Sequence, residues 1–294
     1  MTSARASRDR DSLAPVVPTV PVPVPVPEPA ARFRDLLAAE WLKLWSLRST
    51  PWAYLVAALA VIGFNVGQAY DTYRYWTMEN TADKARFVRD GIPLAEAFTA
   101  NAASILMLAA GAIGAVTVVG EYGTGLIRTT FAAVPARRSV LAAKAAVLAG
   151  ATTALGALIA AVSFFATQAI LAGRDIGVSV GHPGAPRVIV ASALLMPVSA
   201  LVGMAVGALL RQMGTTMVAT FATLLILPLV VSPDRYWSAL LAHALPYPAW
   251  QRLTEVGSPA AAYPWSQAGA WTVYGAWALA AVALTVCTVD RRDQ

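Results

Sequence analysis

One polar, basic and glycine-broken stretch, Glu121–Arg138, lies between two long apolar runs near the middle of the chain. Gly123 and Gly125 are expected to break the preceding helix, and Thr124 can cap a short new helix that Pro135 ends. No nucleophile stands beside a base here, so the chemistry is that of recognition and not of covalent catalysis. The stretch therefore predicts a short helix that is presented to a partner.

This short helix should be amphipathic. Its apolar face is formed by Leu126, Ile127, Thr130, Phe131 and Val134. Positive charge comes from Arg128, Arg137 and Arg138. The apolar face is larger than contact with a membrane surface requires, so we expect it to fill a groove on a cytoplasmic protein.

The usual residue sets for catalysis, metal binding and nucleotide binding are missing from the sequence. No Gly-x-x-x-x-Gly-Lys-Ser/Thr loop occurs, so the chain cannot bind ATP in the P-loop manner. His182 and His243 are far apart and lack partners at zinc-ligand spacing, so each is expected to be an ordinary loop residue. Cys287 is the single cysteine, which excludes an intrachain disulfide. No cofactor or metal is expected in this chain.

The elements that must position the Glu121–Arg138 stretch are membrane spans. Hydrophobic residues make up 57% and charged residues 13% of the chain, whereas charged residues form about a quarter of a soluble domain. Six windows between charged residues are long enough to cross a bilayer. We therefore predict an all-α integral membrane fold with spans at about 51–70, 97–119, 145–172, 188–210, 215–232 and 268–289. Every ionisable side chain is expected to lie outside these spans, which disfavours proton relays and ion-coupled transport.

The positive residues predict the orientation of the spans. If the N-terminus is inside, 14 of the 22 Lys and Arg residues lie on the inner side. The other eight are balanced by eight acidic residues on the outer side. The positive-inside rule then predicts that both termini are cytoplasmic. We expect the membrane to be the plasma membrane. The net positive charge is explained by this orientation, so it does not indicate a nucleic-acid partner.

The chain before the first span has two parts. Residues 1–31 contain an alternating Pro-Val run and are expected to form a disordered cytoplasmic tail, either a spacer or a docking site for a proline-reading partner. No cleavable signal peptide is expected. Residues 32–48 predict an amphipathic helix on the inner leaflet, in which apolar side chains recur every three to four positions: Phe33, Leu37, Trp41, Leu44 and Trp45. Lys43 belongs to the same helix and points away from that stripe.

Two further patterns concern helix packing. Segment 236–265 on the outer side is rich in aromatic residues and proline, and predicts either a re-entrant helix pair or a loop lying on the membrane surface. Two pairs of glycines four residues apart, Gly63 with Gly67 and Gly203 with Gly207, place small residues on one helix face and predict close helix contacts. The Gly63–Gly67 face is expected to pack inside the subunit and not to form a dimer interface.

The spans also contain uncharged polar residues, which could bond other helices or contact a substrate. Most are expected to bond neighbouring helices or backbone, and a minority should line a route for a substrate. The candidates for such a route are Asn65, Gln68, Asn101, Thr167 and Gln168.

Two motifs carry a resemblance to a known family. The first is Glu40-Trp-Leu-Lys-Leu-Trp-Ser-Leu-Arg-Ser-Thr, and the second is Gly120-Glu-Tyr-Gly-Thr-Gly-Leu-Ile-Arg-Thr-Thr-Phe-Ala-Ala-Val-Pro-Ala-Arg-Arg-Ser-Val-Leu-Ala-Ala-Lys. With the six-span order, they resemble bacterial ABC-2 type transporter permeases over residues 32–290. The second motif is the more specific part of the likeness, and the proline-rich tail is not part of the family pattern.

The resemblance implies a transport subunit and not an enzyme. It implies that a separate cytoplasmic ABC ATPase subunit binds ATP and Mg²⁺, that a second permease copy completes a homo- or heterodimer, and that the direction is export. The coupling helix that docks on the ATPase would include Glu121, Tyr122, Gly123, Gly125, Arg128, Phe131, Pro135, Arg137 and Arg138. The N-terminal interface helix would include Phe33, Leu37, Trp41, Lys43 and Leu44. The alternatives are a membrane-embedded enzyme and a non-transporting accessory subunit.

Overall fold

The computed structural model describes residues 32–46, 48–77, 80–231, 235–256 and 263–292, with side chains described as far as residue 288. Within these ranges every regular element is a helix. In chain order the α-helices are α1 (Phe33–Ser46), α2 (Ser49–Arg74), α3 (Thr81–Arg89), α4 (Ile92–Ala97), α5 (Ala100–Thr124), α6 (Leu126–Ala133), α7 (Arg137–Ala172), α8 (Ala185–Leu210), α9 (Met213–Phe221), α10 (Leu227–Val230), α11 (Tyr236–His243), α12 (Pro246–Thr254) and α13 (Gln267–Arg292). The tail, residues 1–31, lies outside the described residues.

Six helical stretches are long and apolar enough to cross a membrane. They are α2, α4 with α5, α7, α8, α9 with α10, and α13, and they coincide with the six predicted spans. The prediction of an all-α, multi-pass membrane protein is confirmed. Several helices continue past the predicted span ends, because a helix does not have to stop where the apolar sequence stops.

The ends of α5 and α7 show the consequence of this extension. Glu121 lies inside α5 and Lys144 lies inside α7, and both side chains are buried. Both residues lie just beyond the predicted span bounds 97–119 and 145–172, so the spans themselves stay free of charge there while the helices that carry them extend into charged sequence. With 36 residues, α7 is about 54 Å long at 1.5 Å per residue, which exceeds the ~30 Å hydrocarbon core. Its first turns can therefore stand at the membrane edge.

The centre of the bundle is the contact between α5 and α8, where two helix backbones touch. A Cβ atom added at Gly114 would overlap the carbonyl oxygen of Ala200, and one at Gly203 would overlap that of Gly111. Gly207 likewise faces α5, where an added Cβ would lie 3.2 Å from the carbonyl oxygen of Ala115. The close contact predicted at Gly203–Gly207 is therefore confirmed.

The Gly63–Gly67 face of α2 is different. No atom of the described residues lies within 4 Å of a Cβ placed at either glycine. The prediction that this face packs inside the subunit is wrong, because α2 turns its larger side chains, Tyr54 and Val61, to the core instead.

The fifth span is interrupted. Residues 222–226 form a π-helical turn between α9 and α10, and Pro228 follows directly. Proline lacks the N–H that would bond the carbonyl four residues earlier, so the backbone there departs from regular α-helical pairing.

Segment 236–265 contains the helix pair α11 and α12, of which α12 packs on α8 and α13. Trp250 on α12 is buried and donates its Nε1–H to Oγ of Ser192 on α8, at 3.1 Å. Arg252 donates to the carbonyl oxygen of Trp265, at 2.7 Å. Residues 257–262 of this segment lie outside the described residues.

Candidate functional site

The stretch Glu121–Arg138 forms the end of α5, the short helix α6 and the start of α7. Gly125 alone makes the break: its φ of 73° is left-handed, and it ends α5 and begins α6. Gly123 stays within α5. The prediction that Thr124 caps the new helix is wrong, because its hydroxyl bonds back to the carbonyl of Gly120 at 2.9 Å. At the other end, Val134 is extended as expected before Pro135.

Most of the apolar face of α6 is turned towards its own chain, although Leu126 at the start of the helix is exposed. Ile127 is 5% exposed, and the Phe131 and Val134 side chains pack against a small cluster with Leu36 of α1 and Val140 of α7. Arg137 stacks over the Phe131 ring, with its guanidinium carbon 5.4 Å from the ring centre. This face therefore seats α6 on α1 and α7, and is not free to fill a groove on another protein as the sequence suggested.

The opposite face of α6 is exposed. It consists of small and basic residues: Arg128, Thr129, Ala132 and Ala133, followed by Pro135, Ala136 and Arg138 beyond the helix. Small side chains allow another backbone to come close, and the arginines favour acidic groups. We call this surface the outward face of α6.

Beneath α6, four ionisable side chains from three helices form a buried ion cluster: Glu40 and Lys43 of α1, Glu121 of α5, and Lys144 of α7. Nζ of Lys144 donates to Oε2 of Glu40 at 2.5 Å and to Oε1 of Glu121 at 2.8 Å. The Glu40 and Lys144 residues are 4% and 6% exposed. Removing such charges from water is costly, and the mutual pairing offsets that cost only while all partners are present. The cluster therefore ties α1 to both helices that flank α6.

Lys43 completes the cluster and extends it to α6. Its ammonium donates to Oε1 of Glu40 at 2.7 Å and to Oγ1 of Thr130 at 3.4 Å, and lies 3.5 Å from Oε1 of Glu121. Burial lowers the pKa of Lys43, but the hydrogen bonds and charges of Glu40 and Glu121 outweigh burial, so its pKa is raised above 10.5. Lys43 is thus held in its charged form at physiological pH.

The other side of the α5 end meets α8. Arg211, at the C-terminus of α8 with a φ of 57°, places its guanidinium carbon 4.6 Å from the centre of the Tyr122 ring. A cavity of about 370 Å³ lies between these residues and α6, lined also by Arg128 and Phe131. Tyr122 therefore links the helix before α6 to the hairpin of α8 and α9.

The predicted interface-helix residues divide into two groups. Leu44 is buried, Leu37 is half-buried in the α6 cluster and Lys43 is in the ion cluster. Phe33 and Trp41 are exposed, because the buried stripe of α1 runs along Leu36, Glu40 and Leu44. The apolar stripe read from the sequence is therefore displaced from the face that packs on the bundle.

Three of the five candidates for a substrate route have hydrogen bonds to the protein itself, two of them to other helices or loops. Asn65 donates to Ser163 and accepts from the backbone and hydroxyl of Thr99, at 3.0–3.1 Å. Gln168 donates to the carbonyl of Pro93 and accepts from the N–H of Val178. The Thr167 hydroxyl bonds back within α7. Gln68 and Asn101 are exposed.

Sequence reasoning missed the importance of Glu40 and Lys144, which appeared only within the two motifs. One signal could have found Glu40: it falls four residues from both Leu36 and Leu44, so a helix places it on their buried stripe.

Among the described residues, no group of three or more His, Cys, Asp or Glu side chains could hold a metal ion. No protein-family model matches the sequence, and no curated protein matches it either. The likeness to ABC-2 type permeases therefore rests on the two motifs and the order of the spans.

Proposed function

We propose that this chain is the membrane-spanning permease subunit of an ATP-driven ABC exporter, driven through α6 by a separate nucleotide-binding subunit. The observation that carries the proposal is the seating of α6. Its apolar face is fixed to α1 and α7, while its basic outward face is left exposed at the end of two membrane spans.

This arrangement suits the transfer of force. Single-residue and three-residue connections join α6 to α5 and α7, so a displacement of α6 moves the ends of both long helices. The ion cluster ties α1 to the same unit. ATP binding in a paired partner would move two such units in a dimer of permease copies and switch access from one side of the membrane to the other. ATP and Mg²⁺ belong to the partner in this proposal, because the sequence has no P-loop.

The outward face of α6 provides the test. In Arg128→Glu, an exposed positive charge becomes negative, and we expect the ATPase that co-purifies with the wild-type chain to be recovered at about a tenth of the wild-type amount or less. Arg86→Glu, an exposed arginine on α3 far from α6, is the matched control and should leave the complex intact. Phe131 is unsuitable for this test because its ring packs inside the chain.

Two results contradict the proposal. If no ATPase accompanies the wild-type chain, the chain is an accessory subunit or a membrane enzyme. If Arg128→Glu and Arg86→Glu retain the ATPase equally, the partner does not bind the outward face of α6.

A further inference from the structure

A groove of about 560 Å³ lies between α1, α2, α5 and α7 and ends at the ion cluster. Its volume falls within the ~300–1,000 Å³ typical of sites for small molecules. The walls are mostly apolar and include Ala53, Ala112, Ile113, Val116, Val147 and Leu148. Apolar walls with a few convergent polar groups at one end are the usual form of a ligand site.

Of the four carboxylate oxygens that Glu40 and Glu121 bring to the polar end of the groove, one has no donor among the described residues. Oε1 of Glu40 bonds Lys43 and Oε2 bonds Lys144, so both of its oxygens are occupied. In Glu121 only Oε1 is occupied, by Lys144 and Lys43. No donor of the described residues bonds Oε2 of Glu121, although the residue is only 9% exposed and lines the groove. This oxygen is therefore open to accept a hydrogen bond from a molecule that occupies the groove.

The charge of the cluster selects the kind of donor. Two lysines and two glutamates balance one another at this end of the groove. A ligand with a net charge would leave one charge uncompensated in a site that is largely shielded from water. A hydroxyl or amide N–H satisfies Oε2 of Glu121 without adding charge.

We propose that this groove binds an uncharged, drug-sized apolar molecule whose hydroxyl or amide N–H donates to Oε2 of Glu121. The binding site stands apart from the transport proposal, and only the identification of this ligand as cargo rests on it. A phospholipid, with two acyl chains and a large head group, does not fit a single groove of this size.

The test is photolabelling of the chain in lipid nanodiscs, without any ATPase. The probe is dodecanol with a photoactivatable diazirine in its chain, and labelled residues are located by mass spectrometry. We expect saturable labelling on the faces of α2 and α5 that line the groove. Unlabelled dodecanol should displace the probe at a concentration about tenfold lower than dodecylamine or dodecanoate, because these carry a charge at neutral pH.

A matched pair of glycine variants localises the binding. Gly120 lines the groove and has open space around an added Cβ, so the side chain in Gly120→Leu has room to enter the groove. Gly150 on α7 has equally open space but does not line the groove, so Gly150→Leu is the control. We expect Gly120→Leu to reduce labelling about tenfold and Gly150→Leu to leave it unchanged. Ala112→Leu fills the groove from another position and guards against misfolding of Gly120→Leu, and circular dichroism monitors the fold of all three.

Three results overturn the proposal. Labelling spread over all lipid-exposed helices shows that the groove holds bilayer lipid only. Labelling that persists in folded Gly120→Leu and Ala112→Leu places the probe elsewhere, or shows that a second copy covers the groove. If dodecanol, dodecylamine and dodecanoate displace the probe equally well, Glu121 does not select the ligand. A missing ATPase partner affects none of these measurements, so failure of the transport proposal is distinguishable.

Discussion

The middle of α5 and its end near α6 are held in place by different physical interactions. Along its middle, α5 packs on α8 with glycine against backbone, at Gly111, Gly114 and Gly203. At its end near α6, it is held by Glu121, which pairs with Lys144 and Lys43 beside an open groove. Close-packed backbones allow one geometry only, whereas ion pairs beside a cavity can be rearranged. Shape therefore fixes the centre of this bundle, while charge holds the part that carries α6.

The first prediction concerns the shape-fixed contact and has the largest effect. In Gly114→Leu the new side chain would overlap the Ala200 backbone, so we expect loss of the folded protein, seen as the absence of a monodisperse peak in size-exclusion chromatography. Gly150→Leu, with open space around the new side chain, should elute as the wild type. Equal behaviour of both variants would mean that α5 and α8 are not in close contact.

The second prediction tests the charge-held region. Lys144→Met leaves Glu40 and Glu121 buried without their shared partner, and should lower the free energy of unfolding by about 3–5 kcal/mol. The matched control is Lys84→Met on α3, which breaks a pair with the largely exposed Asp175 and should cost less than about 1 kcal/mol. Thermal unfolding in detergent measures both. A loss of similar size in the two variants would show that the ion cluster is no better shielded from water than the surface pair.

The third prediction concerns the hydrogen bond from Trp250 to Ser192, which lies in the apolar interior between α12 and α8. Ser192→Val leaves the buried Nε1–H of Trp250 without its acceptor and should cost about 1–3 kcal/mol. Hydrogen exchange in α12 should rise, because this bond ties α12 to α8. Ser199→Ala on the same helix loses only a bond to its own helix, so it should leave exchange in α12 unchanged. If hydrogen exchange in α12 is unaltered in Ser192→Val, the bond between Trp250 and Ser192 does not hold α12 on α8.

The fourth prediction is the smallest and concerns pH. The pKa of Lys43 is raised above 10.5, so its pairing contributes stability below about pH 10.5 and loses it as pH rises through the folded-state value. Lys43→Met should therefore be less stable than the wild type by at most about 1 kcal/mol at pH 8, and the gap should close above pH 10.5. Thermal unfolding at a series of pH values measures this gap. A gap that widens with pH would contradict the assigned role of Lys43.

Sequence reasoning succeeded where one local property decides the outcome. The six spans follow from the length of apolar runs, which a bilayer requires directly. The end of α6 follows from Pro135 and its effect on Val134. It failed on the direction of the α6 apolar face and on the Gly63–Gly67 face, because periodicity shows that a face exists and not what lies opposite to it.

A helical, multi-pass membrane protein with a short amphipathic helix between its second and third spans follows from the amino-acid sequence alone. Which side of that helix faces outward, and the bond from Lys144 to Glu40 across 104 positions of sequence, are visible only in the folded chain. The difference lies in the range over which each interaction acts. Hydrophobic length and proline geometry act within a few residues, whereas burial and ion pairing depend on which helices lie side by side.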